Sequence, residues 1–364
     1  MISIQSPDGY KKEFYNKLKS GEWSYQDGIV LDENTPDLNR NEAVKSFKIF
    51  CKIHLKIEKE TQHVPDKFNL SSWNEVNQNP DDFKLIRRVK FSEDPSNYPL
   101  PLEQLVGDEI TIVFLDFETT GLSHQVDKVI ELGLVKVKYS PTKKCMTEIR
   151  LVRSVYNDPG MEISPEITEI TGISDTDVKG HKINIEELKQ WLEGEGDEPY
   201  IIAHNSKFDR PFFTQLIGQD DYKWGCSASQ IDWKSFKEYR IESAKLEYIL
   251  LKLGYFYEGH RASIDCLAMV QMFFVLPQAL DQLLSNIDQK SIIIEATKAP
   301  FDLKDKLKEA GYRWNGDKKV WWIEVSELEL DQYLNELDHF SSSYSSSKAN
   351  KIELTARERF KLTF

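Results

Sequence analysis

The fold is decided by the stretch "TIVFLDFETTGL", residues 111–122. Ile112, Val113, Phe114 and Leu115 form an unbroken apolar run, the pattern of a strand buried on both faces. Asp116 and Glu118 follow, separated by one Phe. Residues two apart on a strand point the same way, so these carboxylates project side by side from the end of a buried strand. Two like charges in an apolar setting are unfavourable unless a cation neutralises them or one takes up a proton.

Working outward, residues 109–282 alternate between strand and helix patterns. Strands are expected at 110–116, 129–139, 145–154 and 200–204, and helices near 164–171, 184–193, 207–218, 243–253 and 262–276. This alternation predicts an α/β layered domain. Two further acidic positions fall at element ends. "YIIAHNSKFDRPFF" runs from a strand into a helix and puts Asp209 near its first turn. "YEGHRASIDCLAMVQMFF" puts His260 just before a helix and Asp265 in its first turns. Cys266, Met269, Val270 and Phe273 give that helix its apolar face, and Asp265 stands one position before it begins.

Each of these residues has an ordinary reading alone: a solvated strand edge, a helix-end charge, a surface histidine. Their joint arrangement suggests more. Hard divalent cations such as Mg²⁺ or Mn²⁺ take oxygen ligands, and Asp116, Glu118, Asp209 and Asp265 supply them. Two such ions about 3.5–4 Å apart can clamp a phosphodiester for in-line attack. His260, of a residue type with an ordinary pKa near 6.5, is suited to take a proton from attacking water.

"FLDFETTGL", "AHNSKFD" and "HRASIDCLA" resemble, in order, the three sequence blocks of the DEDDh-type 3′–5′ exonucleases, the proofreading-exonuclease family with an RNase H-like fold. "ISPEITEITGIS" (163–174) is similar to the segment that family carries between its first two blocks. The resemblance implies an RNase H-like domain over 109–282, with a mixed five-stranded sheet flanked by helices and containing one antiparallel strand. It also implies hydrolysis of single-stranded 3′ ends to nucleoside 5′-monophosphates, DNA favoured over RNA, in DNA replication or repair. An RNA 3′-end trimmer and a nucleic-acid-binding scaffold with a vestigial site are the alternatives. By the same resemblance Asp116, Glu118, Asp209 and Asp265 hold two Mg²⁺ or Mn²⁺ ions, with Asp116 shared, and His260 is the general base. The backbone of Thr119, Thr120 and Gly121 receives the 3′-OH, Leu122 wedges against the last base, and Asn205 supports the second block.

The flanks carry less chemistry. Residues 1–108 read as an accessory domain of unknown role, with a strand-like alternation of Phe47, Ile49, Cys51, Ile53, Leu55 and Ile57. A proline-rich linker, "PSNYPLPLEQL" (95–105), closes that region. Residues 290–340 read as a small α+β module with a hairpin turn at Asn315–Gly316. Arg313, Trp314, Lys318, Lys319 and Trp321 in that module combine phosphate neutralisation with stacking surfaces, as a nucleic-acid contact requires. A tryptophan core and a protein contact fit the same residues. Residues 341–364, beginning "SSSYSSS", read as a flexible linker and an amphipathic tail. Leu362 and Phe364 of the tail faintly resemble a sliding-clamp-binding peptide. A replication or repair protein is the partner expected for the tail or the N-terminal region.

The net charge of −13 argues against a passive DNA-binding protein but not against a nuclease whose acidic site carries cations. Cys51, Cys145, Cys226 and Cys266 are scattered without a CxxC pair, which speaks against structural zinc or a disulfide framework and fits a reducing compartment. Neither a secretory signal nor a run of about 18 apolar residues is present, so a cytoplasmic protein with no membrane association is expected.

Overall fold

The computed structural model describes residues 75–79, 82–193, 196, 198–341 and 344–361. The chain divides at Lys84/Leu85. The alternation expected over 41–60 lies outside the described residues. In chain order, β1 (Arg87–Arg88), β2 (Leu100–Pro101), β3 (Ile110–Thr119), β4 (Val129–Ser140) and β5 (Cys145–Tyr156) precede α1 (Pro165–Thr171), α2 (Asp175–Val178) and α3 (Ile185–Glu193). There follow β6 (Tyr200–Ala203), α4 (Ser206–Ile217), β7 (Lys223–Cys226), α5 (Leu246–Leu253), β8 (Tyr255–Phe256), α6 (Ala262–Val275) and α7 (Pro277–Asp288).

The main sheet has the order β2-β5-β4-β3-β6-β7. β3, β6 and β7 run parallel, and β4 is antiparallel to both β3 and β5. This is the expected mixed sheet flanked by helices, with β4 the antiparallel member among five strands. A sixth strand was not foreseen: Leu100–Pro101 pairs antiparallel with β5 at the sheet edge, where a proline is tolerated because one side of the strand needs no donor. Tyr98, Leu100 and Leu102 pack on the core, and Tyr98 Oη donates to Ser92 O at 2.6 Å. The stretch read as a linker, and the boundary placed at 108, are thereby corrected. Residues from Leu85 onward belong to the nuclease-like unit, and Val89, Phe91, Tyr98, Leu100 and Leu102 pack against its core.

β3 separates two cores. Ile112 and Phe114 face α5, α6 and α7, with the Phe114 and Phe273 rings stacked 5.6 Å apart. Val113, Leu115 and Phe117 face α3 and α4, against Leu188, Phe212 and Phe213. Each such side chain contributes about 1.5–3 kcal/mol on burial. A one-residue slip of β3 would exchange its two faces against differently shaped cores, so the register is held firmly. Asp116 and Glu118 are therefore fixed on the α6 side of the sheet.

The C-terminal module contains β9 (Ser291–Ala296), α8 (Lys304–Glu309), β10 (Arg313–Asn315), β11 (Val320–Ser326), α9 (Leu330–Phe340) and β12 (Asn350–Leu354). Its antiparallel sheet has the order β10-β11-β9-β12. The expected flexible linker and tail over 341–364 is corrected for its described part. Tyr344 is buried, Ser346 bonds to Asp338, and β12 completes the sheet beside β9, with Leu354 packed against Ile293 and Trp322. Residues 355–361 then return to the nuclease-like domain, burying Arg359 and Phe360. Leu362 and Phe364 lie outside the described residues. Among the described residues no single helix is long and apolar enough to cross a membrane.

Candidate active site

Asp116 and Glu118 lie near the C-terminal end of β3, both half-buried. Asp116 is paired across the ladder with Gly133, and Glu118 with Glu131. The glycine is required there. A Cβ on Gly133 would lie 2.1 Å from the carbonyl carbon of Ala262, the first residue of α6. Its absence lets the helix start sit directly on the sheet beside Asp116, which brings Asp265, in the first turn of α6, over the strand. Among the described residues, Asp116, Glu118 and Asp265 offer one oxygen each within 4.8 Å of one another.

Asp209 approaches from the other layer. β6 pairs parallel with β3, so the chain leaves β6 at the same sheet end as Asp116 and enters α4 there. Asp209 is 2% exposed, and its Oδ1 accepts from Phe117 N at 3.3 Å. It lies outside the close three-carboxylate set but acts electrostatically on Asp116.

The electrostatics record this crowding. Asp116 is held well above the usual carboxylate range by burial and by the charges of Asp209, Asp265 and Glu118. Burial, then Asp265, Glu131 and Asp209, push Glu118 up to about 8, while Arg261 draws it down. Burial likewise raises Asp209 to about 8, against the pull of the Phe117 hydrogen bond. Asp265 rises only to about 6, because Tyr257 Oη and His260 N, each at 2.9 Å, donate to it. Four acids that hold their protons this tightly form an all-oxygen donor set suited to hard divalent cations.

A stability prediction follows from the sign of these shifts. The folded chain binds more protons than the unfolded one from about pH 4, where free carboxyls titrate, up to about 8, the raised value of Glu118 and Asp209. Stability therefore falls as pH rises through that window. With a chelator present the melting temperature is expected to fall between pH 6 and 8, and Mg²⁺ or Mn²⁺ to remove most of the decline. A flat profile in chelator would mean that the acids do not repel one another.

His260 is exposed at the lip of the site, with backbone φ of +67°, and its amide is bound to Asp265. Thr119 is buried and donates to Gly121 O at 2.6 Å. Thr120 Oγ1 donates to Asp127 at 3.1 Å, Ser123 N donates to the same carboxylate at 2.8 Å, and a side chain on Gly121 would collide with it. Asp127 thus organises the 119–123 turn, a role the sequence did not suggest. Leu122 is 86% exposed. Asn205 caps α4 through its backbone carbonyl, which accepts from Phe208 N at 2.7 Å; its side chain makes no capping bond. Beside it, His204 is pushed down to about 4 by burial and bridges Ser227 and the Ala244 carbonyl, a structural histidine.

Glu131 and Arg261 were also missed. Glu131 is fully buried next to Glu118 and is bound by Arg261 and Ser154. The only sequence signal was an acid inside the apolar run "VIELGLV". In the C-terminal module, the ladder divides the five residues proposed for nucleic-acid contact. Trp314 pairs with Trp321, their rings 5.5 Å apart on one face, while Arg313 pairs with Trp322 on the other. Lys318 is bound to Glu295 at 3.3 Å, and Lys319 is exposed in the hairpin turn.

The model of the exonuclease family RNase_T matches residues 113–273. Among relatives, the PolC-type DNA polymerase III of Thermotoga maritima is 33% identical over 172 residues, covering 45% of this chain and 12% of that protein. The PolC-type enzyme of Listeria monocytogenes is 37% identical over 194 residues, covering 51% and 12%. The chain thus spans about an eighth of the length of these relatives. Among solved structures, the nuclease domain of 3′hExo, a DEDDh family member, aligns at 21% identity and a TM-score of 0.40, over 49% of this chain and 97% of that one. The match spans all three acidic blocks, which the fold gathers at one end of the sheet; over residues 113–273 the chain is similar to the exonuclease family RNase_T.

Proposed function

We propose that this protein is a metal-dependent 3′–5′ exonuclease that hydrolyses single-stranded DNA from its 3′ end. The observation that carries this reading is the convergence of Asp116, Glu118 and Asp265 within 4.8 Å beneath the His260 loop. The relatives' description as DNA polymerases supports DNA as the substrate. Asp116, Glu118, Asp209 and Asp265 would hold two divalent ions, Mg²⁺ or Mn²⁺, whose charge neutralises the carboxylates and stabilises charge developing on the phosphate.

The chain's own residues do the rest. The turn at Thr119–Gly121, fixed by Asp127, receives the terminal 3′-OH, and the exposed Leu122 stacks against the last base. His260 accepts a proton from the water that attacks the last phosphodiester in line. The bond from phosphorus to the 3′-oxygen of the preceding nucleotide breaks. The leaving oxygen is protonated from solvent, and a nucleoside 5′-monophosphate departs.

Matched 5′-labelled DNA and RNA oligonucleotides, incubated with Mg²⁺ or Mn²⁺, provide the test. A ladder shortening from the 3′ end of DNA is expected. Degradation of RNA alone would reassign the substrate to 3′-end trimming. Retained binding with no cleavage under either metal would overturn the nuclease reading in favour of a scaffold.

A further inference from the structure

The arginine in "HRASID" is assigned no step in the reaction above, yet it has a specific partner. Arg261 Nε and Nη2 meet the two oxygens of Glu131 at 3.1 and 3.0 Å, a two-pronged ion pair. The Glu131 carboxylate also accepts from Ala262 N at 3.1 Å and Ser154 Oγ at 2.6 Å. Glu131 is 0% exposed, so a buried anion near the start of β4 is compensated by the first residues of α6 and by β5. The Arg261 guanidinium also lies 5.6 Å from the centre of the Tyr156 ring, on the strand beside Glu131.

The segment it anchors needs anchoring. His260 sits in the left-handed region at φ +67°, a conformation that crowds the Cβ of a non-glycine residue. Two kinds of bond hold it there. His260 N and Arg261 N donate to Asp265 Oδ2 at 2.9 and 3.3 Å, and Tyr257 Oη donates to Asp265 Oδ1. Both oxygens of Asp265 thus serve the loop, although the same carboxylate belongs to the candidate cation set. A cation that draws on Asp265 weakens that hold. The Arg261–Glu131 pair is independent of it, because Glu131 is already occupied by its four donors.

We propose that Arg261 and Glu131 form a latch between α6 and the sheet that keeps His260 at working height over the acids. Arg261 is a positioning residue acting through His260; this rests on the exonuclease reading. A displacement on the order of 1 Å can cost about 100-fold in rate, so Arg261→Gln should lower kcat about 10- to 100-fold with KM held within about 3-fold.

The deciding experiment is a cycle on the full chain, measuring single-turnover cleavage of a labelled single-stranded DNA for wild type, Arg261→Gln, His260→Ala and the double variant. If the latch serves His260, the Arg261 substitution costs less than about 2-fold once His260 is absent. An equal loss in both backgrounds would show that Arg261 acts other than through His260 and overturn the proposal. Arg261→Lys keeps the charge against Glu131 but not the fork. It is expected to give an intermediate loss with the same dependence on His260, and it replaces Arg261→Gln in the cycle should that variant not fold. Wild type that leaves no ladder would instead refute the exonuclease reading itself.

Discussion

Replacing Asp116 with asparagine is expected to reduce 3′-end hydrolysis by at least about 10³-fold, roughly 4 kcal/mol of activation free energy. The metal-free protein should meanwhile become no less stable than its parent. The combination follows from the electrostatics of the site. Asp116 is raised well above the usual range by burial and by Asp209, Asp265 and Glu118, so its charge is a liability until cations arrive. Asparagine keeps the size, removes the charge and relieves the neighbours, but it is a poorer ligand for a hard cation. Single-turnover rates with Mg²⁺ and Mn²⁺, and melting curves with and without chelator, test both halves. The stabilisation by metal should shrink in the variant. Activity within tenfold of wild type would remove Asp116 from the chemistry. A melting temperature lower by more than about 4 °C in chelator, about 1–2 kcal/mol for a domain of this size, would mean the carboxylate is structural.

Arg210→Met is expected to give the largest loss of stability, about 3–5 kcal/mol. Arg210 directly follows the metal-site candidate Asp209, yet it packs against Trp224 rather than among the acids and is 0% exposed. Its Nε donates to Asp220 at 2.8 Å. Its two terminal nitrogens donate to the carbonyls of Ala356, Arg357 and Arg359 at 3.2, 2.7 and 2.6 Å. Asp220 is equally engaged, by Trp224 Nε1, Thr214 Oγ1 and Tyr222 N. Truncating the arginine leaves the Asp220 charge unpaired and strands the Arg357 and Arg359 carbonyls at once, and lysine cannot replace the fork.

The same bonds tie residues 355–361 to the nuclease-like domain. Arg359 in turn caps α7 by donating to Asn286 O and Ile287 O at 3.2 and 3.0 Å. Thermal melting of Arg210→Met should show a drop on the order of 10 °C. The double variant Arg210→Met, Asp220→Asn should recover part of it, since it leaves no unpaired charge and keeps an acceptor for Trp224 Nε1 and Tyr222 N. A drop of less than about 2 °C for the single change would place the hold on the C-terminal segment elsewhere.

Much of this was legible in the sequence because it depends on local order. The apolar run before Asp116 announces a buried strand, its period of two sets Asp116 and Glu118 on one side, and the helix starts at 206 and 262 carry Asp209 and Asp265 in their first turns. These are consequences of backbone geometry, which acts over a few residues. The blocks also carry the likeness to the exonuclease family. What pairs across the chain was not legible. Glu131 becomes a neighbour of Glu118 only through the β3–β4 ladder, and Gly133 matters only because α6 lands on it.

The end of the chain shows the limit most clearly. A serine-rich stretch followed by a short amphipathic segment has the composition of a linker and tail. The edge of β9 and the donors of Arg210 nevertheless offer it hydrogen-bond partners that lie more than 50 residues away in sequence. Composition sets what a segment can bury; tertiary structure decides whether an unpaired strand edge and a buried cation are waiting to receive it.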